Sequence, residues 1–507
     1  MSPESAGDER SSRRKPSKAK ESRPKRDSSA NGNGLHHPKT PAVDLPASAP
    51  ASPPPAAWMP LAYMLDEISL LDGKKSSYRP SLDRLREWVT ASITTTGLLR
   101  ESPSQTLAAA ALLIDLRSRL VQKGWQKSDS KRLALMLNAC SHSLFREGSL
   151  FFKEPLSAKL WKKRLTSLRD DKVVADVAQH VRSLLFEGKR KKSHRADGHL
   201  GIQCDECGWS VLRGEWNSNA PHLAIQTHGK SMSLEFRLRG QQVARGAWTT
   251  NVVVDGESIE TSAPWENVGW NSDESGQYVE YRQDLGNGAS LDRLIFLARP
   301  AGLLFLLDAI QGPNEANWRA ESAWVTSPGH ELKSTAGFRA VETSLADGTA
   351  LRVLPLGAAP TLQEPSAGGI EAAGNQLRWW LESRGQRMAF PLVMGWDKKG
   401  LALPRPWRRL TVTNDGPVMT PSEAAAYRFS HQGKSVVLFR SLLGTRRMAF
   451  LGHQTFYETL IGEFKKDGTL KDWLSVDADP DTPWDYFGAL THRQHTAPHP
   501  HEVRRDR

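Results

Sequence analysis

Apolar and polar residues alternate with a period of two through much of the chain between residues 200 and 480, and this pattern predicts β-strands. The clearest run is MSLEFRLRG, in which four apolar side chains share one face and four polar side chains share the other: Met232, Leu234, Phe236 and Leu238 against Ser233, Glu235, Arg237 and Arg239. Gly, Asn and Asp residues interrupt the runs and predict turns. The region is therefore predicted to be a large antiparallel β-sandwich whose strands have one buried and one solvated face.

The period becomes helical nearer the N-terminus. Apolar residues recur at positions i, i+3, i+4 and i+7 in five segments: Leu61–Leu71, Ser81–Ile93, Ser104–Gly124, Ser128–Phe145 and Lys172–Gly188. Their connections have lengths typical of antiparallel neighbours, which predicts a bundle of about five helices. The predicted fold class is α+β multidomain, with a small α-helical bundle followed by the sandwich.

The two ends of the chain have a different composition. Residues 1–56 are rich in Ser, Pro, Lys and Arg, a composition that cannot bury apolar surface and predicts disorder. The predicted organisation lists five segments: a disordered basic tail at 1–56, a helical domain at 57–188, a basic linker at 189–199, the sandwich domain at 200–480 and a C-terminal tail at 481–507.

The charge of the chain argues against a specific nucleic-acid partner. The formal net charge is +12, but the N-terminal tail holds only 10 Lys and Arg against six Asp and Glu, so the remaining excess is spread thinly. No helix-turn-helix, zinc-finger or RNA-binding motif accompanies it. The charged N-terminus predicts no signal peptide, and no segment reaches transmembrane length. A cytoplasmic location with no membrane partner is the default expectation.

The three cysteines predict no disulfide framework. Cys204 and Cys207 form a single CDEC motif, and Cys140 lies in a helical segment. A lone CxxC without a second pair is weak support for zinc, and no βαβ pattern surrounds it as in a redox motif. We therefore expect an incidental reduced pair, no metal site and no cofactor.

Several residues of the strand region stand in a recognisable order. Arg213 and Trp216 lie on the entering strand, His228 lies at a strand end, and Asp308 follows an apolar strand. Ser233, Leu234, Glu235 and Gly240 follow His228 at the spacing of a Ser-Phe-Glu sequence and a glycine turn. This order resembles the C-terminal β-sandwich of the heparinase II/III-like family of polysaccharide lyases. The resemblance implies that the helical bundle is a reduced α/α toroid, and it would favour a periplasmic or secreted location.

The sequence also departs from that family. Lys230 stands where the family has an aspartate, and Gln226 and Thr227 stand where it often has glycine and a further histidine. The helical region is shorter than the family's toroid, which supplies a tyrosine acid. Tyr63 and Tyr78 are the tyrosines that this region offers, and its histidines, His142 and His180, are expected to be packed or surface residues.

The resemblance implies β-elimination on a uronic-acid-containing polysaccharide, in which a base removes the proton next to a carboxylate while neighbouring groups neutralise that carboxylate. His228 would be catalytic, Lys230 would neutralise the carboxylate, and Tyr63 or Tyr78 would be the acid. The predicted substrate-binding residues are Arg213, Trp216, Trp265 and Trp270, although tryptophans fill sandwich cores as well as stack on sugars.

Two functions therefore remain open. One is a polysaccharide lyase acting on an acidic polysaccharide, and the other is a catalytically degenerate glycan-binding or structural β-sandwich protein. Convergence of His228, Lys230, Arg213 and a tyrosine in one cleft would favour the lyase. A solvent-facing His228 with no tyrosine nearby, as in an ordinary turn histidine, would favour the binding protein. The sequence makes no prediction of oligomeric state.

Overall fold

The computed structural model of the protein describes residues 59–70, 78–100, 103–121, 124–143, 158–187, 200–216, 219–299, 301–335, 337, 339–361, 366–398, 404 and 407–477. The predicted tails at 1–56 and 481–507 and the predicted basic linker at 189–199 lie outside the described residues.

Six α-helices occupy the described residues between 59 and 187, which we call the helical part. They are α1 (Met59–Leu70), α2 (Tyr78–Ser92), α3 (Thr106–Leu120), α4 (Lys127–Ser143), α5 (Ala158–Ser167) and α6 (Ala175–Glu187). The sequence predicted five of them and missed α5. Few apolar residues mark that helix, yet Trp161 is only 2% exposed and Leu165 only 4%. Both pack into the common core of the helical part. A short helix with few apolar residues can be anchored in this way by one bulky side chain.

Twenty-two strands follow in the described residues from 200 to 477. They are β1 (Ile202–Cys204), β2 (Trp209–Arg213), β3 (His222–His228), β4 (Ser231–Leu238), β5 (Gln241–Val254), β6 (Glu257–Ile259), β7 (Glu266–Ser272), β8 (Gly276–Asp284), β9 (Ser290–Ala298), β10 (Leu303–Thr326), β11 (Lys333–Ser334), β12 (Val341–Ser344), β13 (Ala350–Pro355), β14 (Gly368–Ala373), β15 (Gln376–Asp397), β16 (Arg408–Leu410), β17 (Ala424–His431), β18 (Lys434–Ser441), β19 (Met448–Phe450), β20 (His453–Thr455), β21 (Thr459–Phe464) and β22 (Leu470–Val476).

The described strands form a 15-stranded sheet, a five-stranded sheet and a two-stranded sheet, and their pairings are antiparallel. The long strands β10 and β15 pair at the centre of the largest sheet, and β1 to β5 follow one another along one side of it. Apolar side chains of β9, β10 and β15 pack against the five-stranded sheet, which includes Phe429, Leu438 and Ile461. The predicted fold class, a small helical part followed by a large antiparallel β-sandwich, is confirmed.

Strand β4 shows where the predicted alternation holds and where it fails. Its apolar face is buried as predicted, with Met232 2% exposed and Leu234 and Phe236 fully buried. The opposite face was predicted to be solvated, but Glu235 on that face is also fully buried. Burial on both faces means that another element covers this part of the sheet.

That element is the helical part. Ala139 of α4 and Leu98 of the α2–α3 connection pack with Trp209, Val211 and Ala224 of strands β2 and β3. Val211 pairs with Ala224, and Ala224 pairs with Glu235, so these residues share the face that the helices cover. A site between the helical part and this face is consequently a buried interface.

Candidate functional site

Predicted site residues lie near both ends of strand β3, with Arg213 on the neighbouring strand β2 and His228 on β3 itself. His222 pairs with Arg213 of β2 at one end, and His228 pairs with Ser231 of β4 at the other. At the usual rise of a β-strand, the six steps between His222 and His228 span about 20 Å. We call these the interface end and the turn end of β3.

Arg213 is buried at the interface end, where it is 1% exposed. Its Nη1 donates a hydrogen bond to the main-chain oxygen of Ser141 on α4 at 2.9 Å. Its guanidinium lies 4.9 Å from the ring centroid of Trp216. Burial lowers the pKa of Arg213 to about 9. Arg213 therefore links the sheet to the helical part.

Two histidines of the helical part complete this contact. The ring centroid of Trp216 lies 5.2 Å from that of His142 and 5.0 Å from that of His180. His142 is 6% exposed and His180 is fully buried. His142 Nδ1 lies 3.1 Å from the main-chain oxygen of Leu200, to which it donates a hydrogen bond. The sequence assigned neither histidine a site role, because the contacts that define their setting join distant segments.

Polar residues of β3 and β4 near the contact between Arg213 and Trp216 are also buried or partly buried. His222 is 1% exposed, and its Nδ1 lies 2.7 Å from the main-chain oxygen of Ala220. Burial, together with the nearby charges of Arg213 and Arg237, holds the pKa of His222 well below its usual value. Glu235 accepts a hydrogen bond from Arg237 Nε at 2.6 Å. The interface end thus combines a neutral histidine with a buried carboxylate and its cation.

The turn end has a different structure. Gly229 and Lys230 form a two-residue turn between β3 and β4, and His228, Gly229 and Lys230 are exposed. Gly229 has a φ of 55°, a conformation that glycine adopts without a steric penalty. Lys230 Nζ donates a hydrogen bond to the main-chain oxygen of Thr261 at 2.8 Å. The ammonium group that was predicted to neutralise a substrate carboxylate is therefore bound to the main chain.

Hydrogen bonds join this turn to the segment that leads into β7 and to Gln283 of β8. The main-chain nitrogen of Trp265 donates to the oxygen of Gly229 at 3.1 Å. Gln283 Nε2 donates to the oxygens of Lys230 at 3.1 Å and of Ala263 at 3.0 Å. The turn is therefore bound to the segment that carries Trp265, whose side chain is half-buried.

A buried ion pair lies next to the ring of Trp265. The guanidinium of Arg293 lies 5.0 Å from the ring centroid of Trp265 and 3.9 Å from that of Trp248. Arg293 binds Asp308 through two hydrogen bonds, Nε to Oδ1 at 2.8 Å and Nη2 to Oδ2 at 2.7 Å. Asp308 is only 2% exposed. This aspartate, which the family resemblance singled out, joins the adjacent strands β9 and β10 in the core.

A cavity of about 340 Å³ lies next to the turn, and we call it the turn cavity. Its described lining residues are Gln203, Cys204, Asp205, Gly208, Trp209, Ser210, Thr227, Trp265, Glu266, Asn267 and Tyr281. They include two carboxylates, two amides and two indoles, and no Lys or Arg occurs among them. Within the described residues, Asn267 Nδ2 is buried without a hydrogen-bond partner.

Tyr281 lies at the floor of the turn cavity and is 2% exposed. Its hydroxyl donates a hydrogen bond to Ser210 Oγ at 2.6 Å. Burial raises the pKa of Tyr281, so the phenol stays protonated near neutral pH. The sequence did not predict a site role for Tyr281 or Asn267, because each fits the alternating pattern of its strand as an ordinary sheet residue would.

The remaining predicted site residues lie elsewhere. Tyr63 is 67% exposed on α1, a helix that packs on α2 and α3, and Tyr78 is the first residue of α2. Trp270 is half-buried against the main core of the large sheet and is not among the residues lining the turn cavity.

The structure thus brings the predicted residues together in two separate groups. Arg213 and Trp216 meet at the interface end, while His228, Lys230 and Trp265 meet at the turn end. It does not bring the two groups to one point. Their assigned catalytic and substrate-binding roles stay predictions.

No metal centre is evident in the part of the chain that the structure describes, where no three His, Cys, Asp or Glu side chains are grouped to hold an ion. The described helices are also too short or too polar to cross a membrane.

Solved heparinases and a heparan sulfate lyase superpose on about three quarters of this chain. A heparinase III gene product superposes with a TM-score of 0.57 at 12% identity, covering 76% of this chain and 65% of that chain. Heparan sulfate lyase HepC from Pedobacter heparinus gives 0.55 at 12% identity, covering 75% and 65%. A further heparinase III gives 0.55 at 10% identity, covering 76% and 67%.

The protein has a heparinase-like fold. No protein-family model matches the chain, and no curated protein matches it. The resemblance predicted from the sequence is confirmed at the level of fold. Sequence identities of 10 to 12% support no conclusion beyond the fold. This chain spans 65% of the length of the first of these neighbours.

Proposed function

We propose that this protein binds a polysaccharide at the turn cavity, and that its heparinase-like fold serves binding instead of turnover. The observation that carries the proposal is the separation of the predicted site. Arg213 is 1% exposed beneath the helical part, whereas His228 is exposed at the opposite end of β3. The two ends are about 20 Å apart along the strand.

Turnover by β-elimination requires a base, a carboxylate-neutralising group and an acid to reach the same sugar residue. Arg213 is occupied by its contacts with Ser141 and Trp216. Lys230 is bound to the main-chain oxygen of Thr261. Arg213 is thus used to hold the structure together and Lys230 already has a main-chain partner, and this supports a loss of turnover.

The turn cavity has the chemistry of a sugar-binding site. Trp265 offers a half-buried aromatic ring, and such rings pack against the apolar faces of sugars. Asp205, Glu266 and Asn267 add carboxylate and amide groups that can bind hydroxyls. The volume of about 340 Å³ is within the range of small-molecule sites.

The lining also bears on the class of sugar. The carboxylates of Asp205 and Glu266 are not balanced by any Lys or Arg among the described lining residues. A uronate or sulfate group placed inside the cavity would meet like charges, which disfavour binding. We propose that the unit inside the cavity is neutral and rich in hydroxyls, and that any acidic group of the polymer lies outside it, on the side of His228.

The test uses the full-length protein with matched neutral and acidic polysaccharides in one panel. Calorimetry measures binding, and the ultraviolet absorbance of unsaturated uronates measures elimination in the same mixtures. We expect saturable binding that weakens at least about tenfold in Trp265→Ala, equivalent to about 1.4 kcal/mol, without any rise in absorbance. Absence of binding across the panel, or binding that Trp265→Ala leaves unchanged, would overturn the proposal.

A lyase is the second candidate, and one observation favours it. Tyr281 lines the turn cavity and His228 directly follows the lining residue Thr227, so a candidate acid and a candidate base border the same cavity. A rise in absorbance that disappears in both His228→Ala and Tyr281→Phe would establish this candidate. Loss of the rise in Tyr63→Phe instead would support the acid predicted from the sequence.

A further inference from the structure

The CDEC segment, which the sequence presents as an incidental cysteine pair, has a specific structure. Strand β1 ends at Cys204, a single 3₁₀ turn spans Asp205–Cys207, and β2 begins at Trp209. The thiol of Cys207 points back and donates to the main-chain oxygen of Cys204 at 3.8 Å. The turn therefore brings the two cysteines together.

The two cysteines have unequal surroundings. The neighbouring side chains of Cys207, Thr96 and Thr94 outweigh burial and lower the pKa of Cys204 to about 6. The hydrogen bond to Cys204, followed by burial, raises the pKa of Cys207. Cys204 is therefore the more readily ionised of the two sulfurs and the better nucleophile.

The two cysteines border a cavity and the surface, respectively. Cys204 is 3% exposed but lines the turn cavity, and Cys207 is partly exposed. Cys140 offers a contrast within the same chain, because it is buried in α4 and burial alone raises its pKa. Reactivity should therefore divide the three cysteines into a pair and an inert residue.

We propose that Cys204 and Cys207 form a reversible dithiol–disulfide site that exchanges with low-molecular-weight disulfides. The Cys204 thiolate attacks one sulfur of the small disulfide, whose S–S bond breaks to release one thiolate and leave a mixed disulfide on Cys204. Cys207 then loses its proton to solvent and attacks the sulfur of Cys204, which releases the second thiolate. Two protein thiols are oxidised to one disulfide, and one small disulfide is reduced to two thiols.

The site lies where the sheet meets the helical part. Glu206, inside the CDEC turn, accepts hydrogen bonds from the nitrogen of Thr95 at 3.3 Å and from its hydroxyl at 3.0 Å, and it forms an ion pair with Arg100. Cys204 itself packs in the buried cluster that contains Leu98 and Ala139 of the helical part, so disulfide formation changes a side chain at this contact. Oxidation therefore acts directly on a contact between the two parts of the chain.

The first experiment equilibrates the reduced full-length protein in glutathione redox buffers and follows intact mass and the alkylation of each cysteine. We expect the wild type and Cys140→Ser to lose two thiols together and to recover them on reduction. Cys207→Ser should stop at a mixed disulfide on Cys204, and Cys204→Ser should retain its thiols. A wild type that keeps three free thiols, or that accumulates only the mixed disulfide, would overturn the proposal.

The second experiment measures the rate of Cys204 alkylation by iodoacetamide as a function of pH. We expect a midpoint near pH 6, a higher midpoint in Thr96→Val, and a normal midpoint in Thr96→Ser, which keeps the hydroxyl. Circular dichroism of each variant confirms that it is folded. Equal midpoints for Thr96→Val and Thr96→Ser, or a Cys204 no faster than Cys140, would contradict the proposed environment.

Discussion

The two ends of strand β3 differ in what surrounds them. At the interface end, His222 and Arg213 are each 1% exposed and lie beneath the helical part. At the turn end, His228 is exposed next to a polar cavity. Residues that appear as one motif in the sequence are therefore divided between two tasks. One group joins the helical part to the sheet, and the other group borders an accessible site.

The difference follows from which face each element covers. Ala139 of α4 packs over Val211 and Ala224, near the middle of the β2–β3 pair, and Arg213 lies two residues further along the same face. The two-residue turn at Gly229 and Lys230 is held instead by the segment entering β7. Substitutions at one end of β3 should therefore leave the properties of the other end unchanged.

The largest effect is expected from the ion pair beneath the turn end. Arg293 is fully buried and Asp308 is 2% exposed, so Arg293→Met leaves an unpaired carboxylate in the core. We expect a loss of about 3 to 5 kcal/mol in the free energy of unfolding, measured by denaturant titration.

The matched control is the double variant Arg293→Met with Asp308→Leu, which removes both charges. It should recover much of the lost stability, because replacing a buried pair with apolar residues is often nearly neutral. If the single variant is as stable as the wild type, the turn end does not depend on this pair and Asp308 has no structural role in it.

Local periodicity was sufficient to predict most elements but not the site. MSLEFRLRG alternates clearly enough to define β4, and five of the six described helices follow their apolar spacing. The burial of Glu235 and the contact of Arg213 with Ser141 depend on segments far apart in the chain, 72 residues in the latter case. No local pattern encodes such a contact. For the same reason the hydroxyls of Thr94 and Thr96 around Cys204 were not foreseen.

A second prediction separates the two histidines of β3 by pH. The folded protein keeps His222 neutral because its pKa is well below 6.5, whereas the unfolded chain takes up a proton near that value. Stability should therefore fall as the pH decreases below about 6.5, by at most about 1.4 kcal/mol per pH unit from this group. His222→Asn keeps an N–H donor for Ala220 and should flatten the profile.

His228→Asn is the control for that measurement, since His228 is exposed at the turn end. It should leave the pH profile of the unfolding free energy as in the wild type. Equal flattening by the two variants would show that the ends of β3 are coupled, and the comparison would then fail.

A third prediction concerns the two tryptophans that the sequence treated alike. Trp265 lines the turn cavity and Trp270 does not. We expect Trp265→Ala to weaken polysaccharide binding about tenfold, or about 1.4 kcal/mol, and Trp270→Ala to leave the dissociation constant unchanged. Calorimetry on both folded variants decides between them, and a loss confined to Trp270→Ala would move the site away from the turn cavity.

The smallest effects are expected within the turn itself, where Gly229 and His228 can be compared directly. A Cβ on Gly229 would meet no atom within 4 Å, so the free-energy cost of Gly229→Ala comes only from the left-handed backbone at φ 55°. We expect about 1 kcal/mol of destabilisation from that substitution. His228→Ala should change the unfolding free energy by less than about 0.5 kcal/mol, because surface side chains without special contacts rarely contribute more. If His228→Ala proves the more destabilising of the two, the exposed turn end makes a packing contribution of its own, and the contrast with the interface end becomes one of degree.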